Sequence, residues 1–577
     1  MGTFWICQPF SVCLARFLAL YLRMNKPYQL TLFLVFCSIC SSIYSQIIIS
    51  PIQVQNITPS GFRVSWVNIQ AANSSLKYGV TPNLELGTLS GGNVTNPNID
   101  VSGGTASQVF YVQAIAQTGS TVQYSDTVVC ITASNSSGDI KVYFNRSVNT
   151  AYANSPENFA KTLPNSIDDT LIAYINRAQT TIDLMVYNLS ATSSTLSNIA
   201  SALNTAHASG KKVRVIYNED TGNTGLAQLN SGIPVLVSPV PSFPQYGLMH
   251  NKVFIFDALS SNPNRPVVWT GSTNLTADQI NEDPNNVVII QDQSLAKAYT
   301  MEFEEMWGST TMIPSSANKR FGPDKRDNTP HFFNIGGRRV ECYFSPSDGT
   351  NARIIKAITD ATNDFTVNSM LITRSDIANV IIQQHNQGVH ARILLNTPTE
   401  GGSSSQYALI EQTLGWRIMN WNSFNQGGTL HHKLVFANAL GGSNPYVLTG
   451  SHNLSTAAEV RNDENTLVIY DGNIVNQYLQ EFMGRLGAVA SADYYAPFKS
   501  LTIYPNPTDN KLNINFVPDA GIDKVTLLNA SGCVLKKMGE DCISTMMQIE
   551  LNGYPSGVYF LEISAGGVIH IEKIILN

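Results

Sequence analysis

The sequence is poor in charge, and neither sign dominates. Charged residues make up only 13% of the 577 residues, with 35 basic and 41 acidic side chains and a net charge of −6. The lack of a basic excess argues against capture of nucleic acid by overall charge, although it does not exclude a local basic groove. At 43%, hydrophobic residues are too many for a disordered chain and too few for a protein with many membrane spans. The composition is therefore that of a globular protein.

Cysteine is scarce as well, and its spacing gives no metal-binding pattern. Four of the eight cysteines lie in the first 45 residues, and elsewhere no CxxC pair or Cys/His cluster has the spacing of a zinc site. Cys533 and Cys542 are close enough in sequence to form a disulfide in an oxidising compartment. Two ordinary small apolar residues are an equally good interpretation of that pair.

A hydrophobic run long enough to span a bilayer comfortably is missing at the N-terminus. After Met24 the chain has a basic residue, Lys26, then a short apolar stretch over 30–40 and small residues around Ser45. This order is typical of a secretory signal peptide, which we favour over a membrane anchor. We therefore expect residues 1–45 to be a signal peptide, with Met24 as the better start, and the mature protein to leave the cytoplasm.

Residues 46–135 have the pattern of a small β domain. Apolar and polar residues alternate around Phe62, Trp66 and Tyr111, between clusters of Gly, Pro, Asn and Ser. With its buried-type tryptophan and tyrosine strand, the segment resembles a fibronectin type III domain. Such modules usually act as spacers or binding units, and we assign no chemistry to this one.

Residues 498–577 form a second strand-rich unit at the other end of the chain. Alternating apolar runs are divided by turns such as Pro505-Asn-Pro507, and a Pro555-Ser-Gly-Val-Tyr559 run precedes a basic and apolar ending. These motifs resemble the C-terminal sorting domain of the type IX secretion system. The resemblance implies export through both membranes of a Gram-negative bacterium, with the secretion machinery as a partner and a secreted or cell-surface location. The alternative is a plain carbohydrate-binding or structural sandwich.

Between these modules lies an internal repeat. The segment GSTNLT at 271 aligns with GSHNLS at 450 at a shift of 179 residues, and further identities continue to Gly308 and Gly487. Each half begins with a strand, followed by a helical stretch and further strands, which is the pattern of an α/β domain. Two such copies are expected to pack about a pseudo-twofold axis, within one monomer.

The predicted fold is therefore a multidomain chain with a duplicated α/β core of two mixed-sheet halves, flanked by two all-β sandwich domains. The expected boundaries are a signal peptide at 1–45, a β-sandwich at 46–135, the first half at 136–313, a linker at 314–338, the second half at 339–497 and the sorting domain at 498–577.

Each half carries the same group of polar residues. The first has His250 and Lys252, and the second has His431 and Lys433. Each pair lies a short distance before a Gly-Ser-x-Asn segment, and the serines and asparagines of these segments are Ser272, Asn274, Ser451 and Asn453. A single His-x-Lys would mean little, but two copies at the same place in a duplicated frame are not expected by chance. Packing alone would not require His, Lys and Asn together.

The pattern HxKx4D followed by GSxN resembles the phospholipase D superfamily over residues 140–490. The resemblance implies phosphodiester cleavage without a metal or another cofactor. One histidine attacks phosphorus to give a covalent phosphohistidine, and the other protonates the leaving oxygen. It further implies that Lys252, Lys433, Asn274 and Asn453 donate to the phosphoryl oxygens, supported by Ser272 and Ser451.

The sequence departs from the family pattern in two places. The motif aspartate is Asp257 in the first half but Asn438 in the second, whereas an acid after GSxN is present as Glu464 in the second half and is replaced by Asn285 in the first. We expect Glu464 and Asn285 each to orient the histidine of its own half. His431, paired with Glu464, is then the general acid, and His250, oriented by Asn285, is the neutral nucleophile. Reversed roles are the alternative. Asn438 also leaves open a weakened enzyme or an inactive relic.

The motif does not choose between substrates. The expected export and the acidic chain favour phospholipid, at a membrane surface, over extracellular nucleic acid. Aromatic residues precede both histidines and are suited either to a lipid interface or to stacking on bases; they are Phe243, Tyr246, Trp416, Trp421 and Phe424. The alternatives to a secreted phospholipase are therefore a secreted nuclease and a surface-binding protein on a retired enzyme scaffold.

Overall fold

The computed structural model describes residues 46–191, 194–219, 222–487, 501–515, 522–538, 546–565 and 568–577. The expected signal peptide and Cys542 lie outside these residues. Cys130 and Cys342 are buried free thiols, and Cys533 is exposed. Across the described ranges no helix combines the length and apolar character needed to cross a membrane. The chain divides into two compact units, one ending at Thr132 and the other running from Ala133 to Asn577.

The first unit consists of two antiparallel sheets. Strands β1, β2 and β5 form one sheet, and β3, β4, β6, β7 and β8 form the other. Phe62 of the first sheet packs edge to face against Phe110 of the second, with ring centroids 5.6 Å apart. The fibronectin type III assignment of this β unit stays a prediction. Its strands are β1 Gln53–Thr58, β2 Gly61–Ser65, β3 Ala72–Gly79, β4 Gly87–Val94, β5 Asn98–Ser102, β6 Val109–Thr118, β7 Thr121–Tyr124 and β8 Val128–Ile131.

The first half of the core is one eight-stranded mixed sheet with helices. Its apolar, often β-branched strands are buried along most of their length, as in a sheet covered on both faces. The strands are β9 Ile140–Phe144, β10 Lys161–Thr162, β11 Thr181–Val186, β12 Lys212–Tyr217, β13 Val235–Val237, β14 Lys252–Phe256, β15 Val267–Gly271 and β16 Asn286–Ile290. The helices are α1 Ile167–Arg177, α2 Ser194–Ala208, α3 Ala277–Asn281 and α4 Gln293–Trp307.

The second half repeats this arrangement with a second eight-stranded sheet. Its strands are β17 Phe332–Ile335, β18 Arg338–Ser345, β19 Asp364–Ser369, β20 His390–Leu395, β21 Ile418–Asn420, β22 Lys433–Ala437, β23 Tyr446–Gly450 and β24 Glu464–Ile469. Its helices are α5 Thr350–Thr359, α6 Ser375–Asn386, α7 Tyr407–Leu414, α8 Thr456–Val460 and α9 Gly472–Gly487.

The strand orders of the two sheets establish the duplication. The first sheet runs β10-β9-β16-β15-β14-β11-β12-β13, and the second runs β17-β18-β24-β23-β22-β19-β20-β21. Seven strands correspond one to one, with the same parallel and antiparallel pairings. The halves differ at one edge, where β10 pairs in parallel with β9 but β17 pairs antiparallel with β18.

Reciprocal contacts join the halves through a buried polar network. Asn286 Nδ2 donates to Thr449 Oγ1 at 2.9 Å and to Tyr478 Oη at 3.1 Å. Asn465, its equivalent, accepts on Oδ1 from Thr270 Oγ1 at 2.8 Å and from Tyr299 Oη at 3.2 Å. Each contact thus has a counterpart in the other half, which is the signature of a pseudo-twofold axis.

The connector is tied into both halves. The second sheet already begins inside the expected linker 314–338, because β17 spans Phe332–Ile335. Lys325 is fully buried, and its Nζ lies 2.6 Å from Glu302 of α4 and 3.3 Å from Asp463, just before β24. It also donates to the carbonyl of Ser345 at 2.8 Å. The connector therefore supplies a buried cation that joins the two halves.

The C-terminal segment contains two antiparallel sheets that share one core. Buried residues such as Leu512, Ile549, Val525 and Leu561 come from both sheets and form a single hydrophobic cluster. The sheet orders are β25-β26-β29 and β28-β27-β30-β31. The strands are β25 Thr502–Tyr504, β26 Lys511–Asn515, β27 Ile522–Asn529, β28 Val534–Met538, β29 Met546–Glu550, β30 Gly557–Ala565 and β31 Val568–Leu576.

Candidate active site

The two His-x-Lys motifs occupy equivalent positions in the two sheets. Strand β14 begins at Lys252 and β22 begins at Lys433, so that His250 and His431 each lie two residues before a central strand. Both histidines are nearly buried, with exposures of 6% and 7%. Burial lowers the pKa of His431, and the positive charges of Lys433, Lys252 and His250 lower it further, so the groups of the two halves act on one another. The pseudo-twofold axis therefore brings the two motifs together.

His250 pairs with the acid of the opposite half. Its Nδ1 lies 2.8 Å from Glu464 Oε2, and its backbone N donates to the carbonyl of Asp463 at 2.9 Å. Glu464 is fully buried, and the nearby positive groups, His250 foremost, lower its pKa to about 2 against the opposing effect of burial. Because the carboxylate is ionised, Nδ1 of His250 must be the donor. This fixes the proton on Nδ1 and leaves Nε2 as the reactive nitrogen.

His431 has neutral partners, also from the opposite half. Its backbone N donates to Pro284 O at 3.0 Å, and its Nδ1 lies 3.0 Å from Ser272 O and 3.1 Å from Asn285 Oδ1. The Asn285 amide is oriented by its own Nδ2, which donates to the carbonyl of Gln279 at 2.9 Å. Because a backbone carbonyl only accepts, Nδ1 of His431 also carries the proton.

The expected pairing within each half is therefore wrong. Glu464 orients His250 and not His431, and Asn285 orients His431 and not His250. The physical reason is the pseudo-twofold packing, which places the residues at the start of β16 and of β24 against the histidine of the other half. Within the described residues neither Nε2 has a hydrogen-bond partner, so both imidazoles present the same nitrogen for chemistry.

The two lysines are held in the same way in both halves. Lys252 Nζ donates to the carbonyl of His250 at 2.6 Å, and Lys433 Nζ donates to the carbonyl of His431 at 2.7 Å. Burial lowers both pKa values, that of Lys433 to about 7, although Glu464 opposes the effect. Two buried lysines favour the binding of an anion, because the anion would raise their pKa values and restore their positive charge.

Burial also lowers the pKa of both histidines, but their partners differ. For His250 the Glu464 carboxylate opposes the effect of burial, whereas Lys252 adds to it. For His431 the lysines and His250 add to the effect of burial, and the backbone carbonyl of Ser272 opposes it only weakly. The carboxylate therefore makes positive charge more favourable on His250 than on His431.

The Gly-Ser-x-Asn segments hold the polypeptide around these histidines. A Cβ on Gly271 or Gly450 would lie 2.2 Å from the carbonyl oxygen of Asn286 or Asn465, so only glycine fits at the end of β15 and β23. Ser272 Oγ donates to Asn285 Oδ1 at 2.8 Å, and Ser451 Oγ accepts from the backbone N of Asn465 at 3.1 Å. The serines thus support the histidine-bearing framework.

Asn274 and Asn453 each keep a buried side-chain oxygen that has no hydrogen-bond partner in the described part of the chain. Buried polar atoms without partners are unusual and are frequent at functional sites. The expected phosphate-binding role of the two asparagines stays a prediction.

Asp257 and Asn438 do not reach the histidines. They follow the far ends of β14 and β22, where both have a positive φ, 51° and 57°. Asp257 accepts from the backbone N of Gln179, Thr180 and Thr181, and Asn438 Oδ1 accepts equivalently from Thr362 and Asn363. The expectation that Asp257 is catalytic is therefore corrected, since its carboxylate fastens a loop. Asn438 performs the same task, and its missing charge is no argument for an inactive relic.

Tyr187 is a site residue that the sequence did not reveal. Its ring meets that of His250 edge to face, with centroids 5.0 Å apart, and Lys252 Nζ lies 5.0 Å from its centroid. Met370 takes the equivalent position after β19, where its backbone N donates to His432 O as that of Tyr187 does to Asn251 O. Because the repeat does not preserve an aromatic residue here, no pattern indicated it.

One cluster of metal-ligating residue types lies elsewhere, at Asp327, His331 and Asp348. Both ring nitrogens of His331 already have partners, Nδ1 with the carbonyl of Cys342 at 2.9 Å and Nε2 with Asp327 Oδ1 at 3.0 Å. Despite burial, its pKa is raised to about 9 by the neighbouring carboxylates. A histidine that is protonated in this way fits an ion pair and not a metal ligand.

Known proteins share this core and the C-terminal unit. The family described as cardiolipin synthase, PLD-like domain, matches residues 171–307 and 354–486, and the secretion system C-terminal sorting domain matches residues 502–577. A mitochondrial cardiolipin hydrolase of Xenopus tropicalis is 32% identical over 157 residues, which are 26% of this chain and 67% of that protein.

Two further proteins are similar over part of the core. A phospholipase D of Rickettsia conorii is 33% identical over 129 residues, which are 22% of this chain and 56% of that protein. The crystal structure of Nuc, a phospholipase D family member from Salmonella typhimurium, aligns with 26% identity and a TM-score of 0.21 over 30% of this chain and 94% of that one. The chain thus spans little more than half of the Rickettsia relative.

The C-terminal match indicates export to a secreted or surface location by the type IX system. The identity to the cardiolipin hydrolase and the family match to both halves assign the duplicated core to the phospholipase D superfamily. The chain therefore belongs to the phospholipase D superfamily and carries a type IX secretion sorting domain at its C-terminus.

Proposed function

We propose that this protein is a secreted phosphodiesterase that hydrolyses phospholipid head groups through a covalent phosphohistidine, without a metal ion. The observation that carries the proposal is the pair of imidazoles, one from each half, whose Nδ1 protons are fixed by acceptors and whose Nε2 atoms are unpaired within the described residues. An imidazole of this tautomer is equipped to attack phosphorus or to exchange a proton.

His250 is the better nucleophile because of its carboxylate partner. When Nε2 of His250 bonds to phosphorus while Nδ1 keeps its proton, the ring becomes positively charged. Glu464, 2.8 Å from Nδ1, stabilises that charge in a buried site where water contributes little. His431 has only a carbonyl and an amide at Nδ1. We therefore keep His250 as the proposed nucleophile, with Glu464 and not Asn285 as its partner.

His431 is the proton donor in the first step. Binding of the anionic phosphate favours positive charge in the site, so His431 takes up a proton at Nε2 and enters the reaction as the imidazolium. As the bond from Nε2 of His250 to phosphorus forms, the bond from phosphorus to the head-group oxygen breaks, and that oxygen takes the Nε2 proton of His431. In the second step a water molecule gives a proton to Nε2 of His431 and attacks phosphorus, and the bond to His250 breaks. The products are a phosphatidate and the free alcohol, and both histidines return to their starting state.

The lysines supply the positive charge that the phosphoryl oxygens require. Lys252 and Lys433 are buried, and an anionic phosphate beside them would raise the pKa values that burial has lowered. Once the phosphate is bound, this charge is in place before any bond breaks, so no reorganisation is needed in the transition state. Among anionic diesters, export and a net charge of −6 favour phospholipid over a nucleic acid polyanion.

The direct test is head-group release by the full-length protein. Phosphatidylcholine vesicles are incubated with it in the presence of a chelator, beside the variant His250→Ala, and choline is measured. We expect release that survives chelation and is lost in the variant. Release that stops on chelation would contradict the metal-free mechanism. Cleavage of single-stranded DNA without choline release would replace the lipid substrate by nucleic acid.

The crossed pairing predicts opposite pKa changes in two variants. Glu464→Gln keeps a hydrogen-bond acceptor but removes the charge that opposes burial, so the pKa of His250 falls by more than that of His431 changes. Asn285→Asp adds a carboxylate at His431 and raises its pKa. NMR titration of labelled histidines measures both values, and the limb of the pH–rate profile that His250 governs moves to lower pH in Glu464→Gln. A pKa change in that variant that is larger for His431 than for His250 would contradict the geometry.

A further inference from the structure

An exposed apolar loop precedes the nucleophile. Residues 239–246 connect β13 to β14, and within them Val240 is 64% exposed and Phe243 is 86% exposed. Bare side chains of this size are costly in water, and exposed apolar groups beside an active site often mark a contact surface. We call residues 239–246 the docking loop.

The docking loop is firmly held at its base. Ser242 and Tyr246 exchange backbone hydrogen bonds of 3.0 and 2.9 Å, which close the tip into a tight hairpin around Phe243. Tyr246 Oη donates to Asp324 Oδ2 at 2.5 Å. The exposed ring of Phe243 is therefore presented on a braced turn, and little conformational freedom remains to be lost on contact.

The base of the loop leads directly into the active site. Gly247 N donates to the carbonyl of Arg461 at 3.2 Å, and Met249 pairs in parallel with Asp463. His250 follows and is held by Asp463 and Glu464. Six residues, 244–249, separate Phe243 from the proposed nucleophile, and Tyr246, Gly247 and Met249 among them have backbone partners.

A cation lies beside the apolar tip. The guanidinium of Arg461 is 5.1 Å from the ring centroid of Phe243, and the preceding residue, Val460, is 45% exposed. An apolar ring with a guanidinium next to it matches the two layers of a phospholipid surface, since the ring meets acyl chains and the cation meets phosphates.

In the second half, the aromatic stretch before the histidine includes a buried residue. There Trp421 is only 3% exposed, and its Nε1 donates to the carbonyl of Gly428 at 3.0 Å. Its ring also lies 5.6 Å from the guanidinium of Arg485, which is buried. Of the two aromatic stretches before the histidines, the first therefore projects into solvent while this tryptophan packs inside.

We propose that the docking loop, with Arg461, is the element by which the protein binds an anionic phospholipid surface. Phe243 and Val240 enter the interface, and Arg461 pairs with lipid phosphate. This inference deepens the proposed function, since it identifies how a bilayer substrate is brought to the histidines.

The test separates vesicle binding from chemistry. Full-length protein is sedimented with vesicles of phosphatidylcholine containing phosphatidylglycerol, and hydrolysis of bis(p-nitrophenyl) phosphate, a soluble diester, is measured in parallel. The variants are Phe243→Ser, Arg461→Gln and the matched control Leu259→Ser. Leu259 is 70% exposed but follows the far end of β14 from His250.

We expect Phe243→Ser to weaken vesicle binding by about tenfold or more, because the variant has no aromatic ring to bury in the lipid interface. Arg461→Gln should lose the preference for phosphatidylglycerol. Both should hydrolyse the soluble diester like the unmodified protein, and Leu259→Ser should match it in both assays.

Three results would overturn the inference. They are unchanged vesicle binding by Phe243→Ser, equal losses in Phe243→Ser and Leu259→Ser, and loss of single-stranded oligonucleotide binding in Phe243→Ser with vesicle binding retained. If the unmodified protein cleaves neither phospholipid nor bis(p-nitrophenyl) phosphate, the proposed function is rejected. The measurement of vesicle binding remains valid in that case.

Discussion

The variant His431→Asn is expected to release one equivalent of p-nitrophenol per protein from bis(p-nitrophenyl) phosphate and then stop. Because p-nitrophenolate leaves without a proton, His250 still forms its bond to phosphorus, but no group remains to take a proton from water. A positioned acid and base contributes about 10²- to 10⁴-fold to such steps. The protein modified at histidine therefore accumulates, and mass spectrometry of its peptides should locate a p-nitrophenylphosphoryl group on His250.

The matched variant is His250→Asn, which keeps a polar side chain and removes the nucleophile. It should show no burst, and its turnover should fall by about 10⁵-fold or more, as for other covalent enzymes that lose their nucleophile. A burst in His250→Asn, with none in His431→Asn, would reverse the two roles. Phosphoryl groups on both histidines would contradict the asymmetry that Glu464 creates.

The variant Lys325→Met is expected to lower the free energy of unfolding by about 3–5 kcal/mol. The substitution leaves the carboxylates of Glu302 and Asp463 buried without the cation that both now contact. Asp463 already has its pKa raised to about 6 by burial, against the effect of Lys325, so losing the ammonium raises it further. Urea unfolding followed by tryptophan fluorescence measures the change.

Two further variants show whether the buried pair is the cause. Lys319→Met removes a partly exposed lysine of the same connector and should change stability by less than about 0.5 kcal/mol. The double variant Glu302→Gln with Lys325→Met removes one stranded charge and should recover part of the loss. Equal destabilisation by Lys319→Met and Lys325→Met would contradict the role assigned to the buried cation.

Much of the core could be predicted from local patterns. The helical stretch expected after the opening strand of the first half is α1, Ile167–Arg177, and the strand expected after that helix is β11, Thr181–Val186. These elements follow from apolar periodicity, which the fold preserves. The repeat also predicted that equivalent residues of the two halves come together.

The partner of each histidine could not be predicted in this way. The repeat equates Asn285 with Glu464, but it does not state whether a residue contacts its own half or the other one. That choice depends on how the two sheets pack, which is a property of the buried network around Asn286 and Asn465 and not of the spacing along the chain.

The aromatic residues before the histidines show a similar limit. Phe243 and Trp421 both lie in stretches rich in turn-forming residues, yet one is 86% exposed and the other 3%. Local composition predicts a loop in both cases. It does not predict which ring is buried. The neighbours of Trp421 include Arg485, which is far away along the chain, and Gly428, whose residue type does not indicate the contact.

The position shared by Asp257 and Asn438 bears on how active members of such a family are recognised. Both residues adopt a left-handed backbone that Asp and Asn tolerate better than most, and both fasten the loop that precedes a neighbouring strand. The final position of the HxKx4D motif therefore meets a requirement of folding, which either Asp or Asn satisfies. A survey that discards chains with asparagine there would discard this chain for a residue that contacts neither histidine, whereas Glu464 contacts His250 directly.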